Sequence, residues 1–204
     1  MGTFLSSGAA VPRGIRLLGD NGAGSVRGVV EPEEVRTRRL VLRRIQPADT
    51  DVFVAVHTAA ETHPFDAHVR GTREQILELL DKFQRSWISD GIGYWAIRLA
   101  GSEDVIGFGG VRHWVEEDEP VLNLAYRFWP SAWGNGYATE MAEAALQWAR
   151  RNRPHHPVMI VTDADNAPSA RVAEKLGFVL HTQRHRDGLP ELVFRLPAPQ
   201  PYPS

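Results

Sequence analysis

The 204-residue sequence contains no cysteine. Disulfides, thiolate nucleophiles, covalent cysteine intermediates and cysteine-based metal sites are thereby excluded, and the composition fits a cytoplasmic protein. No uninterrupted apolar run approaches the ~18 residues that a bilayer-crossing helix requires. The charges nearly cancel, with 23 Lys and Arg against 25 Asp and Glu and a net charge of −2. Such a balance offers no electrostatic hold on nucleic acid or an anionic membrane. GxxxxGK[ST], the full G-x-G-x-x-G spacing and HExxH are all missing, which removes the nucleoside-triphosphate loop, the dinucleotide fingerprint and the usual zinc-protease site. The partners that remain are small molecules or proteins.

What is present is globular: 43% hydrophobic and 24% charged residues, in a length suited to one domain. Residues 1–36 read as a disordered N-terminal tail, residues 37–196 as the domain, and residues 197–204 as a Pro-rich C-terminal tail. The opening MGTFLS formally matches a myristoylation pattern through Gly2 and Ser6, but so short a match carries no membrane assignment. Six tryptophans and exposed-looking strand edges are compatible with a homodimer.

Order is expected from TRRLVLRRI, a strand by its alternation, followed by a helix over 47–58. A loop with three histidines follows. Thr72 and Gln75 then form a capping box for a helix whose Ile76, Leu79, Leu80, Phe83 and Trp87 recur at helical spacing. From residue 93 three β-rich runs, GYWAIRL, VIGFGGVRHWV and VLNLAYRFW, predict an antiparallel meander. A helix over 138–151, the strand VMIVT, a helix ending at EKLGF and two last strands near 178–185 and 192–196 complete an α/β domain. Its order, βαα-βββ-α-β-α-ββ, implies a mixed, mostly antiparallel sheet flanked by helices.

The segment WGNGYATEM, residues 133–141, puts Gly134 and Gly136 where a helix entry usually carries a Ser or Asp cap. A helix N-terminus leaves main-chain N–H groups without partners, and its dipole favours an anion. Glycines clear the mouth of that site and admit the positive φ angles that converge successive amides. The cap is then a ligand phosphate, or the turn is simply a tight loop packed on the sheet.

YRFWPSAWGNGYATEMAEAALQWA, followed after a strand by NAPSARVAEKLGF, resembles the GNAT superfamily of N-acetyltransferases, in the branch of ribosomal-protein and related N-acetyltransferases. The resemblance covers roughly residues 37–196 and implies a GNAT fold with splayed central strands and a slot for acetyl-coenzyme A. The family pattern Q/R-x-x-G-x-G/A falls on Trp133, Gly134, Asn135, Gly136, Tyr137 and Ala138. Trp133 replaces the Gln or Arg, which removes one side-chain donor and spares the main-chain cradle. By this resemblance the amides from Gly134 to Thr139 hold the pyrophosphate, and the backbone of Tyr126, Arg127 and Phe128 pairs with the pantetheine amides. Asn166 bonds the pantetheine end, caps the last helix, or does both. Arg171 and Lys175 reach the cofactor phosphates or are plain surface. No metal is implied.

The implied chemistry is direct transfer of an acetyl group to a primary amine within a ternary complex, with the thioester carbonyl polarised by an amide near Phe128. Many relatives place a tyrosine acid and a glutamate base where this chain has Ala173 and Val161. In their stead Ser169 is the candidate proton donor. Glu140 is the candidate base, with favourable placement in the helix dipole as its other reading. His63, Asp66, His113 and Trp114 are candidates for binding the acceptor, and His68 shares their loop. His181 and His185 on one strand would lie about 13 Å apart, too far to share an ion. DADN at 163–166 reads as a loop, and Glu116 to Glu119 as a solvated hairpin tip. The acceptor is a protein N-terminus, a lysine or a small metabolite. Other readings are a non-catalytic acyl-CoA-binding or regulatory module, transfer of a longer acyl group such as succinyl, and a phosphate-binding module unrelated to coenzyme A.

Overall fold

The computed structural model describes residues 34–197. The expected tails, 1–36 and 197–204, lie outside these residues except at their inner ends. Among these residues eight strands form one sheet in the order β1-β2-β3-β4-β5-β6-β8-β7. They are β1 (Glu34–Arg36), β2 (Leu40–Arg44), β3 (Tyr94–Leu99), β4 (Val105–Glu116), β5 (Glu119–Phe128), β6 (Val158–Asp163), β7 (Val179–Arg186) and β8 (Leu189–Arg195). The helices are α1 (Thr50–Thr58), α2 (Arg73–Ser89), α3 (Tyr137–Asn152) and α4 (Ala167–Lys175). Among the described residues only β5 and β6 run parallel.

Alternation along the strands builds two cores, one on each face of the sheet. Trp95 and Ile97 of β3 point to the face covered by α3, joining Met141, Ala145 and Leu146. Tyr94 and Ala96 point to the opposite face, where α1 and α2 supply Phe53, Val56, Ile76, Leu79 and Phe83. The apolar stripe expected on α2 is buried as its spacing demands, and its capping box forms, with Thr72 N–H donating to Gln75 Oε1 at 2.8 Å. Fully burying each such side chain is worth about 1.5–3 kcal/mol, so the two stripes fix which way each helix faces.

Order begins earlier than expected. Glu34, Val35 and Arg36, assigned to the tail, form β1 and pair with Arg43, Leu42 and Val41 of β2. Three residues carry too little periodicity to announce a strand; the partner strand supplies its hydrogen bonds. The link between β4 and β5 is shorter than expected, only Glu117 and Asp118, both at positive φ (48° and 67°). That conformation suits a two-residue hairpin turn. The reading of a solvated tip therefore fails for Glu116. It is 4% exposed, takes the Trp114 Nε1–H at 3.1 Å and is clasped by Arg184. Glu119 likewise pairs with Arg195 at 2.8 Å.

The feature that positions the site is a split. β5 and β6 pair only at Leu122↔Val158 and Asn123↔Met159. Beyond Asn123, β5 follows β4 without a break as far as Phe128, while β6 turns to β8 and remains paired with it up to Asp163↔Glu191. A wedge opens between them.

Candidate active site

Gly134 and Gly136 adopt φ of 74° and 76°, and Gly136 is the N-cap of α3 without a side-chain cap bond. A Cβ at Gly134 would meet nothing within 4 Å. Among the described residues, the main-chain N–H groups of Gly134 to Thr139 donate to no protein acceptor; the first amide after them to do so is Glu140 N, which reaches Gly136 O at 3.1 Å. Converging amides at a helix N-terminus, with no side chain in front, suit a diphosphate. The 1010 Å³ groove beside this turn is lined by Asn135, Gly136, Thr139 and Lys175, but not by Arg171.

Arg39 braces the turn. It donates to Asn135 O at 2.9 Å, lies over the Tyr137 ring at 4.8 Å and bonds Glu140 Oε2 at 2.7 Å. Nothing in its sequence setting marks it, because its partners lie about a hundred residues away.

Leu122 N–H donates across to Pro157 O at 2.8 Å, and Trp129 N–H donates back to Ile106 O on β4 at 3.0 Å. By alternation, the main-chain groups of Leu124, Tyr126 and Phe128 point into the wedge, where no β6 ladder meets them. Arg127 is corrected on this point: its main chain faces β4. Its side chain instead anchors the loop after α1, donating to Thr62 O at 2.6 Å and clasping Asp66. The Phe128 carbonyl is taken by Trp133 Nε1–H at 3.0 Å, which leaves the Phe128 N–H.

Asn166 caps α4, its Oδ1 accepting from Ser169 N–H at 3.1 Å. One turn of helix thereby turns the Ser169 hydroxyl to within 3.4 Å of the Tyr126 hydroxyl. Burial raises the pKa of that phenol despite the Ser169 contact. The Tyr126 side chain was missed in the sequence, where only its main chain drew attention.

The wedge continues on the α1–α2 face as a cleft of about 160 Å³, which includes His57, His63, Asp66, His68, Asp163 and Ser169 in its walls. His63 is buried, and its Nδ1–H is directed at Ala59 O at 2.9 Å. Burial, and then the Arg127 guanidinium, hold it below the usual histidine range. His63, Asp66, Arg127 and Ser169 are thus brought together.

Three candidates are not. His113 lies on the alternate face of β4, packed against His156 with ring centroids 5.1 Å apart. Trp114 is buried in a separate cluster with Val121, Met159 and Val193. Glu140 accepts from Thr37 Oγ1 at 2.6 Å and from Arg39 N and Nε at 2.7 Å each. Burial opposes its charge, but those bonds outweigh burial and hold its carboxyl below the usual range. A carboxylate so engaged is a tether between α3 and the β1–β2 turn, and a poor base.

An amide cradle at a helix N-terminus thus stands beside a strand edge opened by a split sheet, an arrangement whose free donors suit a long, peptide-like ligand with a diphosphate. The chain belongs to the acetyltransferase (GNAT) domain family, whose model matches residues 39–179. It is similar to the uncharacterized N-acetyltransferase YoaA of Bacillus subtilis (strain 168), with 24% identity over 76% of this chain and 90% of that one. With the uncharacterized protein YkkB of the same organism it shares 30% identity over 52% of this chain, and the match spans 61% of YkkB. The fold is shared with an acetyltransferase from Agrobacterium tumefaciens, at TM-score 0.71, 24% identity, and coverage of 84% of this chain and 98% of that one. It is also shared with RimL, a ribosomal L7/L12 alpha-N-protein acetyltransferase solved with coenzyme A, at TM-score 0.64, 15% identity, and coverage of 80% and 97%.

Proposed function

We propose that this protein is an acetyl-CoA-dependent N-acetyltransferase that passes the acetyl group directly to a primary amine, on a protein N-terminus, a lysine or a small metabolite. The observation that carries the reading is the set of unpartnered amides from Gly134 to Thr139 beside the open edge of β5. Those amides hold the diphosphate, and the wedge-facing groups of Leu124 and Tyr126 hold the pantetheine arm. The Phe128 N–H polarises the thioester carbonyl. The Ser169 and Tyr126 hydroxyls protonate the departing sulfur. With no cysteine in the chain, attack within a ternary complex needs no acyl-enzyme. The cysteine-free composition supports a cytoplasmic setting.

A non-catalytic acyl-CoA-binding module is favoured by one observation, Ala173 and Val161 at the positions where many relatives carry their acid and base. Calorimetry with acetyl-CoA, competition by desulfo-CoA and thiol release with a panel of amines separate the readings. Binding with turnover on a primary amine, slowed in S169A/Y126F without loss of acetyl-CoA affinity, supports the enzyme. Binding without turnover on any amine supports the module. No binding of acetyl-CoA refutes both.

A further inference from the structure

We propose that Asp163 is the catalytic carboxylate of this cleft: it binds the acceptor as a cationic primary ammonium and takes its proton. The inference rests on the N-acetyltransferase reading above.

Asp163 ends β6 two residues beyond Val161, hence on the same face of the strand, and it lines the cleft that Ser169 also lines. Its backbone is pinned on both sides, with Asn166 N–H donating to Asp163 O at 3.0 Å and Ala164 N–H to Pro190 O at 3.0 Å. A carboxylate on a strand end so held is positioned before substrate arrives.

Among the described residues three carboxylates line this cleft, and guanidinium groups already hold two of them. Asp66 is clasped by Arg127. Glu191 is paired with Arg184 at 3.3 Å and Arg186 at 3.4 Å. Asp163, its side chain 16% exposed, has no guanidinium partner among the described residues; it faces the His68 imidazole, with Nε2 at 3.6 Å. A largely buried carboxylate whose facing imidazole stands beyond hydrogen-bond distance is costly unless a ligand completes it, and a cationic amine does so.

The surroundings also suit proton transfer near neutrality. Burial first, then the charges of Asp66 and Asp165 and of Glu191 on β8, push the Asp163 carboxyl up to about 6, against the opposing pull of His68. A base is most effective when its pKa lies near the working pH. Ser169 and Tyr126 border the same wedge, so a proton acceptor and a proton donor flank one space.

The step balances. One proton of the ammonium passes to the Asp163 carboxylate and on to water, freeing the nitrogen lone pair. The N–C bond to the acetyl carbon forms, the C–S bond breaks, and the second proton lost from nitrogen is matched by the one that ends on sulfur. The net products are an amide, a thiol and one proton.

The test measures kcat/KM for a primary amine from pH 5 to 9 in wild type, D163N, D163E, H68Q and H63Q, with acetyl-CoA affinity and melting temperature for each. Carboxyl NMR of the substrate-free protein reads the Asp163 titration directly. The expected wild-type rate rises with pH through about 6. D163N loses that limb and about 100-fold or more in kcat/KM at pH 7 at unchanged acetyl-CoA affinity. D163E recovers part of the rate, and H68Q moves the limb upward. The proposal is overturned if D163N stays within threefold of wild type, if the limb disappears in H63Q instead, or if NMR finds Asp163 titrating in the ordinary carboxylate range. Wild-type protein that binds no acetyl-CoA sinks the parent reading and this one with it, whereas the other adverse outcomes leave the parent reading standing.

Discussion

Replacing Gly134 and Gly136 together by alanine should weaken acetyl-CoA binding without a steric clash inside the protein. A Cβ at Gly134 meets no atom within 4 Å, and one at Gly136 meets only Arg39 Nη2 at 3.6 Å, an ordinary contact. The penalty is therefore torsional. Holding an L-residue at φ near 75° costs roughly 1–2 kcal/mol per position. If the turn relaxes to negative φ, the amides swing out of convergence, and recovering them on binding weakens affinity by about 5- to 30-fold per substitution. If the turn keeps its shape, the same strain appears as a melting temperature lower by about 2–8 °C per position, and the new methyl groups stand in the open space before the amides. Calorimetry with acetyl-CoA and thermal melting of the single and double variants read both terms. Gly101 is the control, since it also has positive φ (86°) and an open Cβ position but lies in the β3–β4 turn; G101A should lower the melting temperature and spare affinity. Wild-type affinity in G134A/G136A would refute the cradle, because the diphosphate would then be held elsewhere.

E140A removes three hydrogen bonds to Thr37 and Arg39 and should cost about 2 kcal/mol of stability, discounted because Arg39 is 39% exposed, while the pH profile of turnover keeps its shape. Because the Glu140 pKa is lowered in the folded protein, its contribution is present above the ordinary carboxylate pKa and fades as pH falls through the folded value. Denaturant melts at pH 7 and pH 3 check this; an altered rate profile in E140A would restore Glu140 as a base. His57 is 5% exposed, stacks on Phe53 at 4.1 Å and is pushed down to about 3, chiefly by burial. The unfolded chain then binds the extra proton between about pH 6.5 and 3, so stability should fall on acidification across that window by up to about 1.4 kcal/mol per pH unit. H57F should show a shallower loss in the same melts, and an equal slope would contradict a buried neutral histidine.

Much of the fold was legible because its signals are local. The α2 stripe, the capping box at Thr72 and the β-rich runs after residue 93 each satisfy their own hydrogen bonds or periodicity within a short window. The turn at Gly134 and Gly136 was legible for the same reason, since positive φ before a helix has few other causes. Asn166 was readable in its capping role, which depends only on Ser169 three residues on. β1 was not, because three residues become a strand only against β2. Charged residues were the hardest. Glu116, Glu140 and Arg127 all took partners far along the chain, and a charge's role depends on who neutralises it. Asp163 passed as part of a loop because nothing in DADN reveals that its neighbours' carboxylates are held by guanidinium groups while its own faces the His68 imidazole.

The sequence by itself determined the elements, the faces they bury and the anion-ready turn, since these follow from torsional preference and period within a few residues. Only the tertiary structure decided where β5 parts from β6, which main-chain groups that parting bares, and which carboxylate in the cleft is without a guanidinium partner. Those outcomes depend on contacts between segments distant in the chain, and no local pattern encodes the burial and pairing that set them.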